Sequence, residues 1–204
     1  MIIEDRIKAF EKLGDFLMDF CYENPNSNHP LETIIKSSSS FNGWFTSSNI
    51  RSSISAICIN LYSTKLSSWL SSYSVPVEAK KNVSIIMAGN IPLVGFNDFL
   101  CVLMSGHRAI IKLSSKDNRL FLPIIEELII IEPRFEDDIK LVDQLENFDA
   151  VIATGNNESF KYFEYYFKDY PTLLRKSRTS VAILTGEESL DERKALANDI
   201  FLYY

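Results

Sequence analysis

At 204 residues with a formal net charge of −6, the chain is long enough for one large domain, or one domain with a helical appendage, and short for two full domains. Hydrophobic residues at 46% and charged residues at 24% exclude a disordered, collagen-like or coiled-coil chain. The acidic balance argues against nucleic acid or an anionic membrane surface as partner. No apolar run reaches the ~18 residues of a membrane helix, and the start, MIIEDRIKAFEKLGDF, lacks the basic and continuous apolar regions of a signal peptide. A cytoplasmic protein is expected. Cys21, Cys58 and Cys101 are odd in number and without a Cys-x-x-Cys, so they are read as buried small apolar residues in a reducing compartment, with no metal site.

Ile3, Ile7, Phe10, Leu13, Leu17 and Phe20 keep the three-four spacing of an amphipathic helix, which should end before Asn24-Pro25-Asn26. Residues 37–74 hold 15 serines, yet Ile50, Ile54, Ile57, Cys58, Leu61, Leu66, Trp69 and Leu70 persist at helical spacing, so the stretch reads as a helix and not a serine linker. Phe41-Asn42-Gly43-Trp44 is the expected turn before it, with Thr46 as N-cap, because a hydroxyl there accepts an otherwise orphan backbone N–H. Val75-Pro76-Val77 breaks the pattern.

After residue 80 short β-rich runs alternate with helical stretches. Residues 83–88, 109–113, 139–142, 150–153 and 180–184 are apolar and mostly β-branched, as strands buried on both faces should be. Helices are expected over 94–105, 118–131, 158–167 and from Leu190 to the end. The last opens on Ser189 and Glu192 at capping-box spacing. It closes on Ile200, Phe201, Leu202, Tyr203 and Tyr204 without glycine or polar tail, which reads as a truncated chain. The fold expected is α/β: a Rossmann-like, mostly parallel sheet with helices on both faces, preceded by N-terminal helices. The division is residues 1–78, helical and packed on the core, and residues 79–204, the Rossmann-like domain.

Ligands of open parallel sheets bind beyond the carboxyl ends of the strands, so the loops there carry the candidate chemistry. One reads Ala88-Gly89-Asn90-Ile91-Pro92, and after an apolar helix and the Ser105-Gly106-His107 turn a strand ends in Ile111-Lys112-Leu113-Ser114-Ser115. Another runs Thr154-Gly155-Asn156-Asn157 into a helix N-terminus, where backbone N–H groups meet anions. His107 reads as a surface histidine, with no carboxylate or second histidine spaced for metal. The Rossmann fingerprint G-x-G-x-x-G is absent.

The order of these motifs resembles the aldehyde dehydrogenase superfamily. AGNIPLVGFNDFLCVLMSGHRAIIKLSS is similar to that superfamily's Asn-x-Pro loop, helix, small-residue turn and Lys-ended strand, and ATGNN to its Thr-Gly-Ser phosphate turn. Within it the sequence looks most like the acyl-CoA reductases and bioluminescence fatty-acid reductases, with a leader ending in a Trp-Leu-Ser-x-Tyr stretch at Trp69 to Tyr73. The resemblance implies the NADPH-binding portion of a reductase that forms an acyl-cysteine thioester from acyl-CoA or another acyl thioester and reduces it to an aldehyde.

Carried onto this sequence, the resemblance makes Asn90 the catalytic oxyanion donor, the alternative being that it simply closes the turn before Pro92. It assigns Lys112, Ser114 and Ser115 to the adenosine ribose, and Thr154, Gly155 and Asn156 to the pyrophosphate. Serine at 115, where many NAD-using relatives hold a carboxylate, together with Lys116 points to NADPH. Arg175, Lys176 and Arg178 stand where hydrolytic relatives have a glutamate and form a basic cluster that either meets phosphates or is a solvated loop. The nucleophilic cysteine of the family falls beyond Tyr204, so the chain alone is expected to lack acyl-transfer chemistry. A homo-oligomer or partner subunit is expected. The competing readings are a non-catalytic nucleotide-binding or interaction module without the cysteine, and an unrelated α/β domain that binds no dinucleotide.

Overall fold

The computed structural model describes residues 1–24, 28–75, 77 and 79–202. Pro25, Asn26, Pro76, Tyr203 and Tyr204, which figure in the expectations above, lie outside them. Four helices come first: α1 (Ile3–Met18), α2 (Pro30–Ser37), α3 (Ser47–Asn60) and α4 (Ser63–Leu70). Then strands and helices alternate, except that β3 leads directly to β4: β1 (Asn82–Ile86), α5 (Phe96–Met104), β2 (Arg108–Lys112), α6 (Asn118–Ile131), β3 (Ile139–Leu141), β4 (Ala150–Thr154), α7 (Asn157–Tyr166), β5 (Thr172–Arg175) and α8 (Leu190–Phe201).

All five strands are parallel, in the order β3-β2-β1-β4-β5. Right-handed crossovers in that order place α5 and α6 on one face and α7 on the other. Strand alternation shows the consequence. Val83, Ile85, Ala109 and Ile111 join the main core with Phe10, Leu13 and Leu17 of α1, Phe99 and Leu103 of α5, and Phe121, Ile124 and Leu128 of α6. Ser84, Ile110 and Val151 share a register row on the opposite face, where α7 contributes the buried Phe160. The first face is thickly covered and the second thinly.

Two buried charge clusters fasten the helices to this frame. The Arg51 guanidinium donates to Glu32 at 2.7 Å and to the carbonyls of Phe20 and Tyr22, tying α3 to α2 and to the end of α1. Arg6 and Lys80 both pair with Asp138, just before β3. A lost partner in either cluster would strand an uncompensated charge in the interior.

Several expectations need correction. The single helix read between 37 and 74 is two, α3 and α4, broken at Leu61 and Tyr62, and α2 before them had no counterpart in the reading. Thr46 does cap α3, accepting from the Asn49 amide at 3.1 Å. The fifth strand lies at Thr172–Arg175 and not at 180–184. Val181 and Ile183 have the β-branched character of a strand but are 87% and 90% exposed; propensity without a neighbouring strand forms no ladder. The capping box of α8 is formed, Ser189 accepting from the Glu192 amide and Glu192 from that of Ser189, yet α8 buries no residue. No described helix is long and apolar enough to cross a membrane.

Candidate functional site

Register brings the separate motifs to one sheet edge. Lys112 at the end of β2 pairs with Ile86 of β1, which pairs with Ala153 of β4. Three loops therefore leave neighbouring strands side by side, with Lys112 and Ala153 about 10 Å apart across two strand spacings. They are the 87–95 loop with Asn90, the 113–117 loop with Ser114 and Ser115, and the 154–156 turn.

The first two loops touch. A Cβ on Gly89 would stand 2.4 Å from Ser114 Oγ and 2.9 Å from Lys116 Cβ, so only glycine permits this approach. Ser114 is half-buried and its hydroxyl oxygen accepts from the Lys116 amide at 3.2 Å, which curls the loop. Asn90 is exposed in its own loop, and three long-range hydrogen bonds with side chains hold that loop. Asn42 Nδ2 donates to the Gly89 carbonyl at 3.2 Å, Ser53 Oγ to the Pro92 carbonyl at 2.7 Å, and the Leu93 amide to Asp117 Oδ2 at 2.8 Å. Leu93 adopts φ +58°, a left-handed conformation that costs a leucine energy and persists because these contacts impose it.

Lys112 and Ser115 are exposed on a cleft of about 350 Å³ that Leu113, Asn118, Leu122 and Val142 also line. Asp143, just past β3, brings a carboxylate into the same cleft. Ser115 leaves its own position free of negative charge, but long-range pairing of β3 with β2 supplies one from elsewhere.

At the third loop, Asn156 is the N-cap of α7, its Oδ1 accepting from the Ser159 amide at 2.8 Å and the Ser159 hydroxyl at 2.9 Å. The Gly155 amide reaches the Arg175 carbonyl at 3.4 Å. The Ser159 amide is thus taken, which leaves the Asn157 and Glu158 amides at the positive end of the helix without an intrahelical acceptor.

The basic cluster is largely spoken for. Arg175 is bound to Asp98 of α5 through Nε and Nη2, and Lys176 to Glu164 of α7. The loop expected for Arg175 is the strand β5. Neither Cys58 nor Cys101 is an activated thiol: burial and the neighbouring Cys21 push Cys58 up to about 12, burial and Asp98 raise Cys101, and Cys101 lies well along α5 from the loop. Cys21 and Cys58 meet at 3.9 Å. His107 Nδ1 accepts from the Lys81 amide, and burial with Lys81 nearby lowers its pKa. Among the described residues no cluster of His, Cys, Asp and Glu is arranged for a metal.

Asn42, Ser53, Asp117 and Asp143 escaped the sequence reading. Asp117 carried one usable signal, an Asp at the head of a helical pattern, but that signal points to a cap of α6, a bond it does not make. Asn42 and Ser53 act across 47 and 39 residues of chain, and Asp143 reaches the cleft only through the pairing of β3 with β2, so none of them leaves a local pattern.

No protein-family model matches the chain. The long-chain acyl-protein thioester reductase of Aliivibrio fischeri is 28% identical over 156 residues, which cover 68% of this chain and 33% of that protein. The chain spans about a third of the length of this curated relative. Proline Utilization A (PutA) from Corynebacterium freiburgense superposes with a TM-score of 0.60 at 15% identity, covering 87% of this chain and 19% of that one. This second likeness is one of fold.

Proposed function

We propose that these residues form the nicotinamide-cofactor-binding portion of an acyl thioester reductase of the aldehyde dehydrogenase superfamily, acting on acyl-CoA or a related acyl thioester and using NADPH. The observation that carries the reading is the shared sheet edge, where the Asn90 loop, the Lys112 cleft and the amides at the head of α7 lie on neighbouring strands. The similarity to the Aliivibrio fischeri protein supports the thioester chemistry.

The donor set fits a dinucleotide. Lys112 and Ser115 offer a cation and a hydroxyl on an open cleft, and the α7 terminus offers the first backbone amides that the Asn156 cap leaves unpaired, donors of the kind anions favour at helix heads. Asp143 suits ribose hydroxyls and opposes a 2′-phosphate, so the NADPH preference rests on Lys112 outweighing it in the same cleft. When bound, a reduced nicotinamide supplies the hydride that turns a thioester carbonyl into an aldehyde. The Asn90 amide donates to the carbonyl oxygen as charge gathers there, and loss of one such donor costs ~10²-fold or more in rate.

A second reading, a non-catalytic nucleotide-binding module, is favoured by the state of the thiols. Cys58 and Cys101 are both raised, and both lie within helices, α3 and α5, outside the loop that carries Asn90. Calorimetry of the purified chain with NADPH, NADP and NADH tests the binding that both readings share. Selective binding of NADPH that Lys112→Ala weakens about tenfold or more supports the cofactor site, and absence of binding by all three overturns it.

A further inference from the structure

We infer that Asp117 is a positioning residue for Asn90, its carboxylate fixing the 89–93 loop from the head of α6; the inference rests on the proposed role of Asn90. Asp117 is the N-cap residue of α6, where an aspartate ordinarily turns back to satisfy the first amides of its own helix. Here it makes no such bond. Its Oδ2 accepts from the Leu93 amide at 2.8 Å instead, 24 residues away.

The setting makes that contact decisive for the loop. Asp117 is 5% exposed, and its Oδ1 has no hydrogen-bond partner among the described residues. Leu93 is 3% exposed and left-handed, so its amide cannot rotate to water without dragging a buried side chain out of the core. Asn42 and Ser53 hold carbonyls of the same loop, at Gly89 and Pro92. Asp117 alone among the three holds an amide, and it alone carries charge.

The groups that face Asp117 are few. Lys116 and Arg119 flank it on its own segment, and the 38–45 stretch across the cleft contributes Ser38, Phe41 and Phe45 but no charge. Arg119 is stacked on the Phe41 ring, 3.4 Å from its centroid. The 89–93 loop is uncharged. Burial raises the Asp117 pKa to about 7, so the carboxylate that grips Leu93 changes charge near neutrality. A protonated acid is the weaker acceptor for an amide.

The experiment is ¹H–¹⁵N NMR of the whole chain from pH 5 to 9, without nucleotide, for the wild type, Asp117→Asn and Asp117→Ala. In the wild type the Leu93 amide and the Asn90 side-chain amide shift together with a midpoint near 7. Asp117→Asn keeps the acceptor but abolishes the titration of both. Asp117→Ala speeds exchange of the Leu93 amide at least tenfold and moves the Asn90 signals at every pH. Wild-type Leu93 exchange and Asn90 signals in Asp117→Ala, or a titration that survives in Asp117→Asn, overturns the inference. If Asp117→Ala does not fold, the wild type against Asp117→Asn decides. Because no nucleotide is present, a failure of the cofactor reading shows separately, as absence of binding in calorimetry.

Discussion

Arg175 of the edge strand β5 grips Asp98 in the first turn of α5, its Nε 3.0 Å and its Nη2 2.7 Å from the same carboxylate oxygen. The pair joins the last strand of the sheet to the helix that follows the first. Asp98 is buried and Arg175 is 44% exposed at its side chain, so the coupling should fall below that of a fully enclosed pair, at ~1–2 kcal/mol. A double-mutant cycle of Arg175→Leu and Asp98→Asn by urea denaturation measures it, and a coupling near zero would remove the pair from the account of how β5 is held.

Local pattern was enough for elements whose stabilising contacts repeat along the chain. The helix from Asn118 to Ile131 could be read through Pro123 because Leu120, Phe121, Ile124, Ile125 and Leu128 keep one buried stripe, and that burial outweighs the lost backbone bond. It misled where pairing partners decide. Residues 180–184 look more like a strand than 172–175 do, but only the latter lie against β4. At the site, the loops were visible as turn chemistry at strand ends. The side chains that hold them were not, since Asn42 and Ser53 reach their partners across 47 and 39 residues.

Stability should depend on Asp117 in a particular direction. Its folded-state pKa, about 7, lies above the ordinary 3.8, so between those values the native state binds a proton that the unfolded chain does not. Stability therefore falls as pH rises through that window and levels off above it, by at most about 4 kcal/mol. Asp117→Asn, which cannot ionise, should be more stable than the wild type at pH 8 and lose that advantage by pH 4. Melting temperatures across the range check the sign, and a gap that grows toward acid contradicts it.

Asp143 should act as a brake on 2′-phosphate binding. Asp143→Asn is expected to raise the ratio of NADPH to NADH affinity about three- to tenfold, the size of one screened charge at a surface cleft. Isothermal titration at low and high salt reads the ratio and its screening, and an unchanged ratio would place the ribose away from this cleft.

Gly89→Ala tests whether the two loops must touch. The added methyl meets Ser114 Oγ and Cβ within 2.8 Å, so one loop has to retreat. An expected loss of ~1–3 kcal/mol, with weakened nucleotide binding, follows from overpacking at a close backbone approach. Ser114→Gly in the same chain should restore much of the stability, as seen in denaturant midpoints.

Ser84 presents the opposite case, a hydroxyl that is fully buried in the central strand with no hydrogen-bond partner among the described residues. Ser84→Ala removes a desolvated polar group at almost constant volume and should stabilise the chain by about 1 kcal/mol. Thermal denaturation gives the answer, and a loss of similar size would show that the hydroxyl is satisfied in solution.

The unequal cover of the two sheet faces has a dynamic meaning. β1 and β2 are clasped by α1, α5 and α6, whereas β5 is mostly exposed and α7 rests on the sheet through one buried phenylalanine. Local opening starts where few apolar contacts must be broken, which is the half comprising α7 and β5. The candidate site straddles that seam: Lys112 and the Asn90 loop are mounted on the well-covered half, the 154–156 turn on the half expected to open first. A dinucleotide anchored first at its ribose would then close the loose side upon itself, and ordering α7 would be part of the cost of binding.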